Sequence, residues 1–327
     1  MCTGVRLSAK DASVLYGRTL EFGYQTDPAI LFVPRNYLFE GKTGTEKKGF
    51  CSQSLYASIG ANMMNEHEFV DGVNEKGLAA GLFYFPGYAG YQNVLESEYD
   101  SMIAPWQMAS LVLSVCATVQ EACALMARIK VGAVFYNDQL GVPPLHMIVH
   151  DSTGASVVFE HINGELCIHK NPLGVITNAP DFMWHRTNLN NYVHILGSKE
   201  PRKNVGTVDL HPFGAGAGTL GIPGDFTPPS RFVRAAFLSG MVIQGENADQ
   251  VKDMVFHILN SFDIPKGVVC ATDHKGQTIT GYTQWTAVSD LANKIYYWHT
   301  YQNRQVSSIQ LKDMDLTRSN HLQMPMK

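Results

Sequence analysis

The chain has 327 residues, of which 45% are hydrophobic and 17% are charged, and its formal net charge is −4. This composition is typical of a globular protein with a substantial core. Lys and Arg residues are scattered along the chain and no run of eighteen apolar residues occurs, so we expect no nucleic-acid partner, no membrane partner and no transmembrane helix.

The first residues, MCTGVRLSAKDAS, become polar immediately. A secretory signal needs a basic start followed by an apolar run, so we expect a cytoplasmic protein. Six cysteines occur and none forms a C-x-x-C pair. Five of them are expected to be reduced, buried thiols, whereas Cys2 needs an argument of its own.

The first hundred residues are predicted to form strands and turns. Apolar and β-branched runs bounded by turn residues occupy residues 12–22, 29–36, 54–63 and 77–88. NEKG (74–77), between FVDGV (69–73) and LAAGLF (78–83), has the composition of a hairpin turn.

Residues 104–130 change to helical spacing. TVQE within this segment has the pattern of a capping box, with Thr118 as the cap and Glu121 three residues later, so two consecutive helices are predicted. Strands then return in four segments, LHMIVHD (145–151), ASVVFEHI (155–162), GELCIHK (164–170) and GVITNAP (174–180).

A Gly/Pro-rich loop covers about residues 211–229, after which Ser230 is predicted to cap a helix and residues 247–262 to form a second one. Residues 282–301 are predicted to be a hairpin, followed by a last strand. The order of strands, helices, strands, helices and strands indicates the α+β class. No linker marks a boundary, so one domain over residues 1–327 is predicted.

Cys2 directly follows the initiator methionine. Because cysteine is small, Met1 is expected to be removed, which would leave a free α-amine beside the thiol. An α-amine has a pKa of roughly 7.7–8.0, so a useful fraction is neutral near pH 7 and can accept the thiol proton. This is the N-terminal-nucleophile arrangement. The alternative is a small residue at a frayed terminus.

Four further polar residues stand in unusual positions. Arg18 and Glu21 interrupt an apolar strand, where a period of two puts them on opposite faces unless a bulge intervenes. A buried Arg near a thiol would favour thiolate, whereas a surface ion pair is the simpler alternative. Asn178 follows a predicted strand, as an oxyanion donor or an Asx turn. Arg231 in the first turn of a helix opposes the helix dipole, which suggests a role elsewhere or tolerance at a surface.

Two other patterns carry no function. Gly216, Gly218 and Gly221 have G-x-G-x-x-G spacing, but Pro223 follows where a dinucleotide loop opens a helix, so nucleotide binding is rejected. His146 and His150 could share a strand face, yet no third ligand has matching spacing. No metal site is expected.

Five motifs together resemble one family: MCTG, GRTLEF, VNEKGLAAGL with FPGY, GVITNAPDFMWHRTNLNNY, and GTLGIPGDFTPPSRFVRAAF. The resemblance is to the choloylglycine hydrolase family, which contains conjugated bile acid hydrolases and penicillin V acylases, and it covers nearly the whole chain. It implies the N-terminal-nucleophile hydrolase fold, a four-layer αββα sandwich of two stacked antiparallel sheets. It also implies hydrolysis of a linear, non-peptide amide through a thioester, without metal or cofactor, by a homotetramer.

By position, the resemblance implies that Cys2 is the nucleophile, that Arg18 lies beside its thiol and that Asn178 is an oxyanion donor. Arg231 matches the second active-site arginine. Glu21 stands where the family has an aspartate that holds the α-amine. Since charge is kept but one methylene is added, we expect function with an adjusted backbone or weakened activity.

The second oxyanion position falls in GLFYFPG, where Tyr84 fits when aligned backwards from Pro86 and Phe83 fits when aligned forwards from Gly81. The expected substrate is a small amide with an apolar acyl group, either a conjugated bile salt or penicillin V. The predicted walls of its pocket are four aromatic residues, Phe22, Phe83, Phe85 and Tyr88.

Three other functions stay open at this point. An acylase of N-acyl homoserine lactones would use the same apolar pocket. A binder of acyl ligands that lost catalysis through Glu21 would keep the fold. A papain-like hydrolase with a distant His has the least support, because no cysteine has a suitable surrounding motif.

Overall fold

The structure is a computed structural model that describes residues 1–197, 201–272 and 276–326. Its strands are β1 (Cys2–Ser8), β2 (Val14–Phe22), β3 (Ala29–Val33), β4 (Leu38–Lys42), β5 (Lys48–Gln53), β6 (Ser58–Ala61), β7 (Asp71–Asn74), β8 (Ala79–Tyr84), β9 (Met102–Ile103), β10 (Lys130–Val131), β11 (Leu145–His150), β12 (Ser156–Ile162), β13 (Glu165–Lys170), β14 (Lys203–Val205), β15 (Val208–Leu210), β16 (Val269–Thr272), β17 (Thr278–Asp290), β18 (Ile295–Thr300), β19 (Ser307–Gln310) and β20 (Leu322–Pro325). The α-helices are α1 (Met108–Val115), α2 (Val119–Met126), α3 (Phe182–Asn188), α4 (Pro228–Met241) and α5 (Ala248–Asn260).

Two antiparallel sheets contain most of these strands. The first sheet has the order β1-β2-β17-β18-β19, with β16 also paired to β17, and the second has the order β13-β12-β11-β8-β7-β6-β3-β20. Neighbouring strands of the second sheet are mostly joined by short connections, as in NEKG, where Gly77 has a φ of +78° that favours glycine. The side-chain Oδ1 of Asn74 accepts from the backbone N–H groups of Lys76 and Leu78, which closes this turn.

The two sheets lie face to face and are covered on their outer sides by helices. Tyr296 of the first sheet donates a hydrogen bond to Asp71 of the second across the interface. One apolar cluster fills the space between the sheets and continues under α4 and α5, and a second packs the outer face of the second sheet against α1 and α2. This is the predicted four-layer αββα architecture of the α+β class, which the structure confirms.

The register of β1 and β2 decides which way their side chains point. Cys2 lies opposite Leu20 and Gly4 lies opposite Arg18. Residues directly opposite each other in an antiparallel pair share a face, and alternate residues of one strand do so too. Cys2 and Arg18 therefore point to the same side of the sheet, whereas Glu21 points to the other.

Two local predictions were wrong. No strand runs through GVITNAP in the described part of the chain, where Ile176 forms a single antiparallel bridge with Gly4. Ser230 does not cap α4, because the helix begins earlier than predicted. Thr227 is the N-cap, Pro228 is the first helical residue and Ser230 lies inside the first turn. Proline is favoured there because its missing N–H has no partner within a helix.

The starts of α2 and α5 agree with the sequence, whereas α3 was not predicted. Thr118 caps α2 by accepting from the N–H of Glu121, as the capping-box pattern predicts, although the Glu121 carboxylate accepts from Ala117 instead of Thr118. Several short strands have no clear sequence pattern and were not predicted, namely β4, β5, β14, β15, β16 and β20. Among the described residues, none of the helices combines the length and apolarity that crossing a membrane requires.

Candidate active site

Cys2 is the first residue of β1 and is 4% exposed. Its backbone N–H donates to Oδ1 of Asn178 at 2.9 Å. The residue also lines an apolar pocket between the sheets, next to Arg18 and Leu20. Cys2 is therefore held by backbone pairing on one side and by a distant side chain on the other.

Arg18 is fully buried behind Cys2. Its Nη1 donates to the carbonyl oxygens of Leu82 at 2.7 Å and Val70 at 3.3 Å, and its guanidinium lies 4.3 Å from the ring centroid of Phe83. Within residues 1–197, 201–272 and 276–326, no carboxylate forms an ion pair with it. Burial alone lowers the pKa of Arg18, but the charges of Cys2 and other nearby acidic groups outweigh burial and raise it.

An acidic group behind Arg18 was missed by the sequence analysis. Asp71 of β7 is 1% exposed and its Oδ2 accepts from the hydroxyl of Tyr296 at 3.0 Å. Burial raises the pKa of Asp71 to about 6, although the positive charge of Arg18 opposes this shift. A carboxylate inside the apolar segment FVDGV is the same kind of signal that drew attention to Arg18.

Glu21 lies on the other face of β2 and is fully buried. Its Oε1 accepts from the hydroxyl of Thr283 at 3.1 Å, and its backbone N–H donates to the Met1 carbonyl at 2.9 Å. Burial raises the pKa of the Glu21 carboxyl, while Arg231 and the Met1 amine act in the opposite direction. The structure thus places both charged residues of this strand in the interior, on separate faces, and excludes the surface ion pair.

Asn178 reaches Cys2 because its segment lies along the free edge of β1. The backbone of Ile176 exchanges two hydrogen bonds with Gly4, at 2.8 and 3.1 Å. Two residues further on, Asn178 therefore lies opposite Cys2, as antiparallel pairing requires. Its side-chain Nδ2 donates to the Tyr84 carbonyl at 2.7 Å.

Arg231 joins the two sides of the site from α4. Its side chain is fully buried, and it donates to the Cys2 carbonyl, to Oγ1 of Thr3 at 2.8 Å and to Oδ1 of Asn178 at 2.6 Å. Burial lowers the pKa of Arg231, which the charges of Glu21 and Cys2 partly offset. The side chain therefore acts away from its own helix, as its position in the sequence suggested.

Tyr84 and Phe83, the two alternatives for the second oxyanion position, have different surroundings. Tyr84 lines the pocket and its carbonyl contacts Asn178. Phe83 is fully buried between the sheets under Arg18. Of the two, only Tyr84 lies at the wall of the pocket that Cys2 opens into.

The pocket beside Cys2 has about 730 Å³ of empty space, which includes its opening to solvent. Phe22 forms part of its wall and packs edge-on against Tyr84, with ring centroids 6.0 Å apart. The other three aromatic residues proposed for the wall lie elsewhere: Phe83 and Phe85 are fully buried, and Tyr88 is 40% exposed.

The rest of the pocket wall comes from four parts of the chain that sequence reasoning missed. Most of its residues are apolar, including Met63, Met64, Phe69, Val70, Leu82, Trp106, Tyr136, Leu140 and Leu145. They lie in loops and strands brought together only by the stacking of the sheets. A metal-binding cluster of three or more His, Cys, Asp or Glu side chains does not occur in the part of the chain that the structure describes.

The arrangement suits attack on a carbonyl group. The Cys2 thiol and the buried guanidinium of Arg18 lie beside an apolar pocket. The buried guanidinium of Arg231 binds the Cys2 carbonyl, and the amide side chain of Asn178 binds the Cys2 backbone nitrogen. Positive charge favours thiolate, and an amide N–H can stabilise an oxyanion without adding charge to the ground state.

Comparisons with known proteins identify the family of the chain. Residues 2–324 match the family described as linear amide C–N hydrolases, choloylglycine hydrolase family. A bile salt hydrolase/transferase of Clostridium perfringens is 32% identical over 316 residues, which are 97% of this chain and 94% of that protein.

Two solved structures are similar over almost their whole lengths. A variant of conjugated bile acid hydrolase from Clostridium perfringens has a TM-score of 0.87 at 30% identity, covering 100% of this chain and 97% of the other. A penicillin V acylase from Agrobacterium tumefaciens has a TM-score of 0.79 at 22% identity, covering 99% and 91%, and so shares the fold.

Proposed function

The chain belongs to the choloylglycine hydrolase family and is a linear-amide C–N hydrolase, and from this premise we propose that it deconjugates bile salts with Cys2, freed by removal of Met1, as its nucleophile. One observation carries the proposal: Cys2, Asn178 and Arg231 are joined by direct hydrogen bonds at the end of an apolar pocket.

In the proposed first step, the α-amine of Cys2 takes the proton of its own thiol. The amine of Met1, one residue upstream, has its pKa lowered by burial. The same buried surroundings would favour the neutral form of the Cys2 amine. Removal of Met1 also frees the backbone N–H and carbonyl of Glu21, and in the proposal the Glu21 carboxylate orients the new amine.

The thiolate then attacks the amide carbon, forming a C–S bond and placing negative charge on the former carbonyl oxygen. Arg18 and Arg231 stabilise the thiolate before attack. Nδ2 of Asn178 and the backbone N–H of Tyr84 donate to the oxyanion. The C–N bond breaks, the ammonium of Cys2 protonates the leaving nitrogen, and the amine product departs from the thioester.

Water completes the cycle by attacking the thioester. The neutral Cys2 amine accepts a proton from the water, the C–S bond breaks, and the proton passes to the departing sulfur. The products are a carboxylic acid and an amine, so the net reaction consumes one water per amide bond. Every proton transfer uses groups of this chain, and the proposal includes no metal or cofactor.

The choice of bile salts rests on the pocket and on the relatives. A steroid acyl group is large and apolar, as are the pocket walls around Phe22, Phe69 and Trp106. Relatives at 32% and 30% identity, from Clostridium perfringens and Lactiplantibacillus plantarum, are bile salt hydrolase/transferases. Penicillin V, with its smaller aromatic acyl group, is the second candidate. The motif GRTLEF favours it, because Thr follows Arg18 as in the penicillin acylases of the family.

A substrate panel tests the proposal. Taurocholate, glycocholate, penicillin V and a long-chain N-acyl homoserine lactone are incubated with the purified protein, and the released amine is measured. We expect the two bile salts to be cleaved fastest. Intact mass measurement shows in parallel whether Met1 is absent. Cleavage of none of the four by a chain that lacks Met1 would count against the proposal and favour a binder of acyl ligands.

The remaining proposals concern assembly and location. We propose one folding unit over residues 1–327, a homotetramer and a cytoplasmic location. Exposed apolar side chains on the β14–β15 hairpin, Val205, Val208 and Leu210, support self-association. All six cysteines are free, which supports a reducing compartment. Sedimentation, a single unfolding transition and cell fractionation test these three points.

A further inference from the structure

A buried histidine holds the backbone just before Asn178. His146 of β11 is 2% exposed, its Nε2 lies 3.2 Å from the Thr177 carbonyl, and its Nδ1 lies 3.1 Å from Oε1 of Glu160. The ring of Phe85 stacks on it at 4.3 Å with only 4° between the planes. Both the position and the orientation of this imidazole are thus fixed by its neighbours.

Both polar partners of His146 are hydrogen-bond acceptors. A carbonyl oxygen can only accept a hydrogen bond, and so can an ionised carboxylate. Glu160 also accepts from the backbone N–H of Phe182, at 3.1 and 3.2 Å. Burial alone raises the pKa of Glu160, but hydrogen bonds from His146 and His169 lower it to about 2. Glu160 is therefore ionised at neutral pH, and each ring nitrogen of His146 faces a hydrogen-bond acceptor.

Glu160 also anchors the helix that follows Asn178. Phe182 is the first residue of α3, so its contact with Glu160 ties β12 to the start of this helix. From the same helix, Nε2 of His185 lies 2.9 Å from the Asn178 carbonyl. Burial lowers the pKa of His185 to about 4, so its single proton near pH 7 lies on the nitrogen that faces this carbonyl.

His146 therefore contacts the Thr177 carbonyl and His185 contacts the Asn178 carbonyl. Glu160 connects the two histidines, since it contacts His146 directly and binds the first residue of the helix that carries His185. Since the Ile176 backbone is already paired with Gly4, this fixes the chain on both sides of Asn178. The Asn178 side chain then has little freedom except to point at Cys2 and Tyr84. A shift of about 1 Å in such a group can reduce turnover about 10²-fold.

We propose that His146 and Glu160 are positioning residues for the hydrolysis, which hold the Asn178 amide in place for the oxyanion. Neither touches the substrate pocket, so their effect passes through the Thr177 carbonyl and the start of α3. The inference rests on the proposed function, because it takes Asn178 as the oxyanion donor.

A matched pair of variants tests this. In His146→Gln the amide nitrogen occupies the place of Nε2 and can still donate to the Thr177 carbonyl. In His146→Asn the side chain is one methylene shorter and cannot reach. We expect kcat for taurocholate to fall about 10²-fold in His146→Asn. In His146→Gln, kcat should be at least tenfold higher than in His146→Asn, and KM should be unchanged in both variants.

The corresponding substitutions of His161 are the control. His161 is a fully buried residue of β12 whose ring nitrogens have no hydrogen-bond partner in the described part of the chain. His161→Asn and His161→Gln should change kcat equally little. Alkylation of Cys2 by iodoacetamide, followed by mass mapping of the N-terminal peptide, should proceed at the wild-type rate in both His146 variants. Slower alkylation in step with kcat would indicate general damage and overturn the proposal.

Crystal structures of the two His146 variants provide a readout without turnover. The distance from Nδ2 of Asn178 to the Tyr84 carbonyl should stay near 2.7 Å in His146→Gln and lengthen in His146→Asn. An unmoved Asn178 in His146→Asn overturns the proposal even if no amide is hydrolysed, whereas an inactive wild type refutes only the proposed function. Glu160→Gln, which keeps the shape but removes the charge, gives the same measurement if His146→Asn fails to fold.

Discussion

The two sides of the candidate site are held in different ways. Cys2 and Arg18 belong to neighbouring strands, so an uninterrupted ladder of backbone hydrogen bonds places both side chains on one face. Asn178 lies in an irregular segment that meets the sheet at one residue pair and is otherwise held by side chains from β11, α3 and α4. A strand within such a ladder keeps its position when one side chain is changed, because backbone hydrogen bonds hold it. The segment around Ile176 and Asn178, called the docked segment below, depends on each of its side-chain contacts.

The sharpest test on the ladder side is Cys2→Ser. Because the serine hydroxyl is a much weaker nucleophile and the backbone pairing is unchanged, we expect kcat to fall by at least about 10³-fold with no change in melting temperature. Cys51→Ser, at an exposed position of β5, is the matched control and should keep full activity. Substantial hydrolysis by Cys2→Ser would exclude Cys2 as the nucleophile.

On the docked side, Asn178→Ala removes the amide that faces Tyr84 and the acceptor that Arg231 and Cys2 share. We expect kcat to fall by about 10²–10³-fold, the usual effect of removing one oxyanion donor. Unlike Cys2→Ser, it should also lower the melting temperature, since Arg231 loses a buried partner. Steady-state kinetics and calorimetry measure both effects, with Asn204→Ala on exposed β14 as control. A kcat within threefold of wild type would contradict the assignment.

For Glu21 we expect an effect on kcat that depends on pH and is smaller than the two effects above. Burial raises its pKa, so the carboxylate becomes protonated at a higher pH than the usual value of about 4.3. If the ionised form orients the Cys2 amine, kcat should fall as the pH drops through this raised value. Glu21→Gln should lower the plateau about tenfold and remove that acidic limb. The same limb in profiles of both proteins would show that another group causes it.

The smallest effect is expected for Gly4→Ala, at the contact between β1 and the segment around Ile176. A Cβ at Gly4 would lie 2.8 Å from Cζ of Phe83 and 2.9 Å from Cγ2 of Ile176, so Gly4→Ala must displace a side chain on the docked segment or in the core. We expect a loss of about 1–3 kcal/mol in the free energy of unfolding and a severalfold drop in kcat. Gly214→Ala, where a Cβ would meet no atom within 4 Å, is the control in denaturant titrations.

Features that depend on local sequence could be predicted, whereas features formed by segments distant in the sequence could not. The strands and helices with strong periodicity, and the positions of Cys2, Arg18 and Arg231, were visible because they stand in recognisable local patterns. The pocket wall was not, because Met63, Phe69 and their neighbours meet only after the sheets stack.

Local rules also failed in specific places. Phe85 was assigned to the pocket on its aromatic character, but it packs on His146 in the interior. GVITNAP looks like a strand by composition, yet its chain pairs with β1 through a single residue because its hydrogen bonds go to side chains instead. The burial of Phe85 and the irregular backbone of GVITNAP are both determined by contacts with distant residues, so neither could be predicted from the local sequence.

The pairing of Ile176 with Gly4 has a consequence for solubility. β1 is the edge strand of the first sheet, and a bare edge is a template on which other chains can add strands. In the described part of the chain, the segment around Ile176 and Asn178 covers this edge. The segment that carries Asn178 of the proposed site therefore also shields this edge from other chains, and we expect variants that release the segment to precipitate as well as lose activity.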